Sequence, residues 1–260
     1  MSAKEIRLRP IPSKVAREFI REHHYSGKTV SNSQVNVGVF YRGRLEGAMQ
    51  AGPPLDRRRM LGMVEPQNWN GVLELNRMAF TEALPRNSES RALSVWFRLL
   101  RKHAPHINWV ISFADAAPCG DGTIYRASGF VLTGIKENKN LVRLPDGSTV
   151  HKIAVEVTPN RPRPELGGRS YLDVTGGRYS FSKYIEATGA ETIPGYQLRY
   201  VRLLNPAARL TVPTIPFERI AELGATMYRG KRGGRLDTRG PDTPVGEGGA
   251  SPTPPLQSHG

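Results

Sequence analysis

The sequence predicts an α/β (α+β) fold, and three patterns carry that prediction. Apolar runs rich in strand-forming residues alternate with amphipathic helical stretches from residue 5 to residue 133. Residues 35–51 form two alternating runs joined at Arg42-Gly43-Arg44, which is a hairpin pattern. Residues 108–130 place a buried strand, an aspartate at its tip, a Pro/Gly turn and a short helix in succession. In open α/β sheets the crevice at strand ends is where ligands bind, so Asp115 and the helix carrying Tyr125 are expected to face one crevice.

Composition bounds the rest. At 260 residues and 38% hydrophobic, the chain is long enough for one large or two small domains with a real core. The single Cys119 excludes an internal disulfide framework and a cysteine-only zinc site. The start MSAKEIRLRP has no apolar stretch of signal-peptide length, and no apolar run reaches the roughly 18 residues that span a bilayer. A soluble, cytoplasmic protein is expected. The net charge of +14, with a pI near 10.3, calls for a polyanion as partner. Nucleic acid is the first expectation. An anionic membrane is the weaker one, because no basic amphipathic helix with a broad apolar face stands out.

In chain order, residues 5–8 read as a first strand, broken by Pro10-Ile11-Pro12. Ser13 is a plausible N-cap for a helix whose Val15, Ala16, Phe19 and Ile20 form an apolar stripe and which ends near His23-His24. Histidine in a last turn is favoured by the helix dipole alone, but His24 beside Tyr25 can equally serve as a ligand or proton carrier. After the hairpin, Asp56-Arg57-Arg58-Arg59 is either a solvated surface or a phosphate clamp. Residues 72–80 are the next strand, unusual in carrying Glu74, Asn76 and Arg77, which either form a structural ion pair or line a site. Asn87 or Ser88 caps an amphipathic helix built on Ala92, Leu93, Trp96, Phe97, Leu99 and Leu100, and small residues at its start expose backbone N–H groups to an anion. Residues 109–114 are a buried strand, 123–128 a short helix ended by Gly129, and Phe130 begins another strand. Residues 141–144 and 151–157 read as a hairpin around Pro145-Asp146-Gly147. Beyond the proline-rich break at 159–164, Arg169, Tyr171, Arg178, Tyr179, Phe181, Lys183, Tyr184, Tyr196, Arg199, Tyr200 and Arg202 interleave rings with positive charge, which suits bases and phosphates, although any single ring is more simply core. From Arg229 the chain is Gly-, Pro-, Arg- and Ser-rich without periodicity and is expected to be a disordered tail contributing only +2 of the charge.

These elements resemble the GNAT acyltransferase superfamily. A strand, a basic small-residue loop, a helix and a strand precede Tyr125-Arg126-Ala127-Ser128-Gly129-Phe130, similar to that superfamily's Tyr-x-x-x-Gly-Phe pattern. The loop that cradles the coenzyme A pyrophosphate there corresponds to residues 86–92, with serines where glycines belong and Glu89 close to the expected phosphates. A more specific resemblance is to the phage Mom family of DNA hypermodification enzymes, a divergent GNAT-like branch. It rests on His24-Tyr25-Ser26-Gly27, Leu75-Asn76-Arg77-Met78-Ala79, the run from Asn87 to Ser94, Ser112-Phe113-Ala114-Asp115 and Gly122-Thr123-Ile124-Tyr125, in that order.

The resemblance implies a mixed, mostly antiparallel central sheet flanked by helices, with a GNAT-like core over 1–158, a basic, aromatic extension over 159–228 packing on it and contacting DNA, and a tail over 229–260. It implies an enzyme that converts adenine in double-stranded DNA to the N6-carbamoylmethyl form, on a flipped-out base, protecting phage DNA from host restriction in the host cytoplasm. Tyr25, Arg77, Asp115 and Tyr125 are then the catalytic set, with His24 nearby, and Asn87, Ser88, Ser90, Arg91 and Ala92 hold acetyl-CoA or another CoA-type donor. Arg57, Arg58, Arg59, Arg178 and Lys183 are the expected DNA contacts. A carbamoylmethyl product needs a bond from N6 to a methylene carbon, which acyl transfer alone does not make. A metal, a radical or a different donor would activate that carbon, and His24, Tyr25 and Asp115 offer ligands for iron without a compact metal-binding spacing. An acetyltransferase acting on a small amine or protein, and a catalytically silent DNA-binding protein, are the competing readings. A homodimer is an assembly the sequence allows.

Overall fold

Arg42 and Gly43 both have positive φ, 49° and 81°. This two-residue turn matches strand twist and joins β2 (Val35–Tyr41) to β3 (Arg44–Gly52) as the predicted hairpin. The computed structural model describes residues 2–24, 27–115, 122–193 and 195–223, with Asp115 described in its backbone alone. The described residues build a seven-stranded sheet around that hairpin. β1 (Arg7–Pro10) lies outside β2, and β3 is followed across the sheet by β5 (Val72–Phe80), β6 (Trp109–Asp115), β11 (Tyr196–Leu203) and β7 (Val131–Glu137). β4 (Val64–Glu65) pairs separately with β12 (Arg209–Leu210).

Every pairing in the large sheet is antiparallel except β5 with β6. A parallel pair needs a crossover, and α3 (Ser88–His103) supplies it. Ala92, Leu93, Trp96, Phe97 and Leu100 of α3 join Leu73, Leu75 and Val110 in the main core. Burying a face of this size stabilises by roughly 1.5–3 kcal/mol per large side chain, which is what fixes α3 against the centre of the sheet. On the opposite face, Phe19 and Ile20 of α1 (Ser13–His23) pack on Ala48 and Ala79. Ser13 is not the N-cap expected of it. Pro12 holds that position, Ser13 is the first helical residue, and no side chain caps the end. Val15 of the expected stripe is exposed.

The segment expected as an extension is divided between two places. Residues 138–193 hold their own core of Val142, Leu144, Val155, Leu166, Tyr171 and Tyr184. They include β8 (Leu141–Arg143), β9 (Thr149–His151), α5 (Lys152–Glu156), α6 (Tyr171–Thr175), α7 (Phe181–Thr188) and β10 (Glu191–Thr192). β11 then enters the large sheet between β6 and β7 instead of packing on its surface. The strand expected over 151–157 is not formed there: β9 ends at His151, and Lys152–Glu156 is helix, because the His151 Nδ1 accepts from the Ile153 amide at 3.2 Å and caps its start. Residues 229–260 lie outside the described residues. Among the described residues, no helix is long and apolar enough to cross a membrane.

Candidate active site

The β3–β5 register passes from Gln50 opposite Arg77 to Ala51 opposite Leu75, leaving Asn76 as an extra residue. Such a bulge re-aims the side chains on either side of it. Leu73 and Leu75 belong to the α3 side and Ala79 to the α1 side, so simple alternation would send Glu74 and Asn76 together and Arg77 away. The bulge instead collects all three. The Asn76 amide donates to the Glu74 carboxylate, and the Arg77 charge acts on Glu74 and on His24, the residue that ends α1.

Burial pushes the Glu74 carboxyl above its ordinary range, against the hydrogen bond from Asn76, the Arg77 charge and the Leu55 amide. Burial, reinforced by Arg77, lowers His24 to about 4, so its imidazole is neutral at pH 7. Arg77 is oriented by Nη1 donating to its neighbour's carbonyl, Asn76 O, at 2.6 Å, and Nε to Lys28 O at 3.4 Å. Asn76 Oδ1 is buried with no partner among the described residues.

Immediately beyond this cluster the sheet opens. β5 and β6 pair only from Val72–Trp109 to Glu74–Ile111, whereas β6 stays paired with β11 along its whole length, Asp115 standing opposite Gln197. Ser112 bridges the gap by donating from Oγ to Leu75 O at 3.1 Å. Having one proton, it then receives the Tyr125 hydroxyl at 3.0 Å. Tyr125 belongs to α4 (Thr123–Ala127), stacks on Tyr200 with centroids 4.3 Å apart, and meets Phe130 edge-on. Its phenol is thereby held in the opening between the parallel strands.

On the α3 side of the opening is a cleft of about 180 Å³ lined by Arg86, Asn87, Glu89 and Ser90 on one wall and by Thr123, Ile124 and Ala127 on the other. Asn87 takes the left-handed conformation, φ 67°, and provides no side-chain cap. The first helical bond is Arg91 N to Asn87 O. Among the described residues, the Glu89 and Ser90 amides therefore have no acceptor, and they sit at the positive end of a helix of 16 residues. Ser88 and Ala92 are buried in the packing and do not line the cleft, and Arg91 does not line it either.

Of the predicted catalytic residues, Arg77 and Tyr125 flank the opening, Asp115 ends β6 beside it, and Tyr25 lies outside the described residues. The sequence marks Glu74, with Asn76 and Arg77, as part of a strand triad that pairs or lines a site, but does not place it in the catalytic set, and Ser112 enters only inside the motif Ser112-Phe113-Ala114-Asp115. Arg57, Arg58 and Arg59 lie on α2 (Arg57–Leu61), and Arg178 and Lys183 are exposed on the inserted unit. Of the interleaved rings, Tyr171, Tyr184 and Tyr200 are buried core, while Tyr179 is exposed. Arg199 and Arg202 are tied to Thr133 and to the Gly129 carbonyl. Among the described residues no group of three His, Cys, Asp or Glu could hold a metal ion.

A family model described as Mom protein family matches residues 5–219. The methylcarbamoylase mom of Escherichia phage Mu is 34% identical over 218 residues, 83% of each chain. Solved structures with similar backbones include a GNAT family acetyltransferase from Elizabethkingia anophelis with acetyl-CoA bound, 12% identical with a TM-score of 0.40 over 75% of this chain and 97% of that one. An IAA acetyltransferase from Bacillus cereus is 8% identical, with a TM-score of 0.41 over 76% and 99%.

Proposed function

Because the chain belongs to the Mom protein family, we propose that it is a DNA-modifying transferase that converts adenine in duplex DNA to N6-carbamoylmethyladenine. The observation that carries this is the family match over residues 5–219, a range that includes the polar cluster, the strand opening and the cleft, together with the 34% identity to the phage Mu methylcarbamoylase. The excess of positive charge supports a polyanionic substrate. Arg57, Arg58 and Arg59, with Arg178 and Lys183 of the inserted unit, are the proposed phosphate contacts.

The reaction forms a bond from N6 to the methylene carbon of a carbamoylmethyl group as the bond from that carbon to the donor's leaving group breaks, the leaving group taking the bonding pair and the N6 proton being removed. N6 lies in the duplex with little room for the incoming group, so the base is read as flipped into the opening. Asp115 accepts from or orients the N6 amine, and Arg77 holds the carbonyl or an anionic group of the donor. Tyr125, which donates to Ser112, stands beside the base, and Tyr25 completes the set. Burial raises the Glu74 carboxyl above its ordinary range, and His24, lowered to about 4, stands neutral beside Arg77 as a hydrogen-bonding partner for substrate or donor.

The cleft at α3 fits a phosphate-bearing donor of the CoA type. Two amides without acceptors among the described residues and the exposed Arg86 converge there, with the Glu89 carboxylate as the one opposing charge, while the Ser90 hydroxyl lines the cleft but donates its proton to Asn87 O at 3.2 Å. Such a donor would carry the carbamoylmethyl group on its leaving atom, because an acetyl thioester would also need a two-electron oxidant and an amide nitrogen. Iron gains no such support from the described residues, and no step is routed through it. A carbamoylmethyl group on N6 occupies the major-groove edge by which adenine is recognised, which is how the product would shield phage DNA from host restriction enzymes in the host cytoplasm. The test is mass spectrometry of nucleosides from the DNA of cells expressing the chain. A deoxyadenosine heavier by one carbamoylmethyl group is the expected result, and unmodified adenine alone would overturn the assignment.

A further inference from the structure

The loop from β3 to α2 presents Leu55 at 90% exposure, the most exposed large hydrophobic side chain among the described residues. A solitary exposed leucine is ordinary. This one is held in place. Gly52 lies so close to the Asn32 backbone that a Cβ would collide with the Asn32 carbonyl oxygen. Asn32 Nδ2 donates to Pro53 O at 2.8 Å, and Pro53-Pro54 restrict φ over the next two residues. The Leu55 amide donates to the Glu74 carboxylate, and Asp56 caps α2 by accepting from the Arg59 amide at 3.3 Å. The loop is thus anchored on both sides of a side chain that is itself in water.

Its surroundings are those of a duplex-facing surface. Leu55 is one hydrogen bond from Glu74, and hence beside Arg77 and the strand opening. Arg57, Arg58 and Arg59 follow directly, with Arg57 lying over the half-exposed Trp69 at 5.0 Å. Apolar side chains that enter base steps occur in this setting, flanked by cations that take the phosphates.

We propose that Leu55 is the wedge that fills the base stack when the target adenine leaves it, while Arg57, Arg58 and Arg59 hold the flanking phosphates. This rests on the adenine-modifying reading. Leu55 touches the vacated stack and not the reacting atoms, so it positions the base and takes no part in bond making. A mismatched or already unpaired adenine would need it less, because the cost of opening is then smaller.

The test compares Leu55→Ala with Leu55→Met in cells, reading modified adenine by mass spectrometry. Leu55→Ala is expected to lower modification about tenfold or more, and Leu55→Met to stay within about twofold of wild type, with unchanged thermal midpoints for both. Clarified lysates, which carry the cell's own donor, are then given duplexes with adenine opposite thymine or opposite an abasic site. The Leu55→Ala deficit should shrink to about twofold on the abasic duplex. Full activity of Leu55→Ala in cells, or an equal deficit on both duplexes, overturns the wedge. Absence of modified adenine with the wild-type chain overturns the underlying reading instead.

Discussion

Replacing His24 with glutamine removes a titratable ring from beside Arg77 without introducing a charge, and its effect on stability should depend on pH in a calculable way. In the unfolded chain the ring titrates near 6.5; in the folded protein, burial and the Arg77 charge lower it to about 4. Between those values the unfolded state binds a proton that the folded state refuses, so wild-type stability falls as pH falls through this window. Above 6.5 the contribution is fully present, and below 4 it is fully lost. The gap corresponds to about 3 kcal/mol at 1.36 kcal/mol per pH unit. Chemical denaturation at a series of pH values from 7.5 to 3.5, on wild type and His24→Gln, cancels every other group when the two curves are subtracted. The difference should grow to a substantial part of that figure as pH drops, and Arg77→Gln should shift the lower bound of the window upward. Parallel curves for wild type and His24→Gln would refute the placement of a neutral, buried imidazole beside Arg77.

Tyr125→Phe removes the bond to Ser112 but keeps the ring stacked on Tyr200, so it should cost only about 1 kcal/mol in stability while abolishing modification; Asp115→Asn should likewise abolish modification, with DNA affinity nearly unchanged in both, and an active variant removes its residue from the mechanism. Ser90→Leu should obstruct the amides at the start of α3 and eliminate modification without releasing DNA, whereas Ser90→Gly should be tolerated; a fully active Ser90→Leu places the donor elsewhere. DNA affinity, measured by fluorescence anisotropy, should fall steeply with salt, with log K declining by about 0.9 per phosphate contact against log salt; binding that ignores ionic strength contradicts the phosphate contacts.

Elements whose pattern is local were legible in the sequence. The strand Val72–Phe80, the hairpin at Arg42-Gly43 and the amphipathic face of α3 follow from alternation, turn chemistry and helical spacing. What escaped depends on partners distant in the chain. The bulge at Asn76 exists only as a register between β5 and β3, so residues 72–80 alone offer Glu74, Asn76 and Arg77 as an ion pair or a site lining without deciding between the two. The parting of β5 from β6 is similarly a property of a pair, and with it the bridging role of Ser112. Arg199 and Arg202 looked like phosphate ligands because composition cannot distinguish a solvated arginine from one whose guanidinium bonds to a backbone carbonyl, of the neighbouring strand for Arg199 and of the turn at Gly129 for Arg202. At 151–157, alternation favoured a strand, and a single side-chain cap from His151 decided for helix.

β7 and β11 are adjacent antiparallel strands, a pair that two residues suffice to connect, yet the whole of 138–195 lies between them. The chain leaves and returns at one point, where the Asn138 amide donates to Gly195 O at 2.8 Å. A unit attached through so narrow a neck, and packed around its own core, is interchangeable. It can be lengthened, exchanged for that of a relative, or cut back to a tight turn while the strand ladder on either side stays in register. Changes to the residues around Tyr125 are in this way separable from changes to the surface that carries Arg178 and Lys183, and the same neck is the natural splice point for chimaeras.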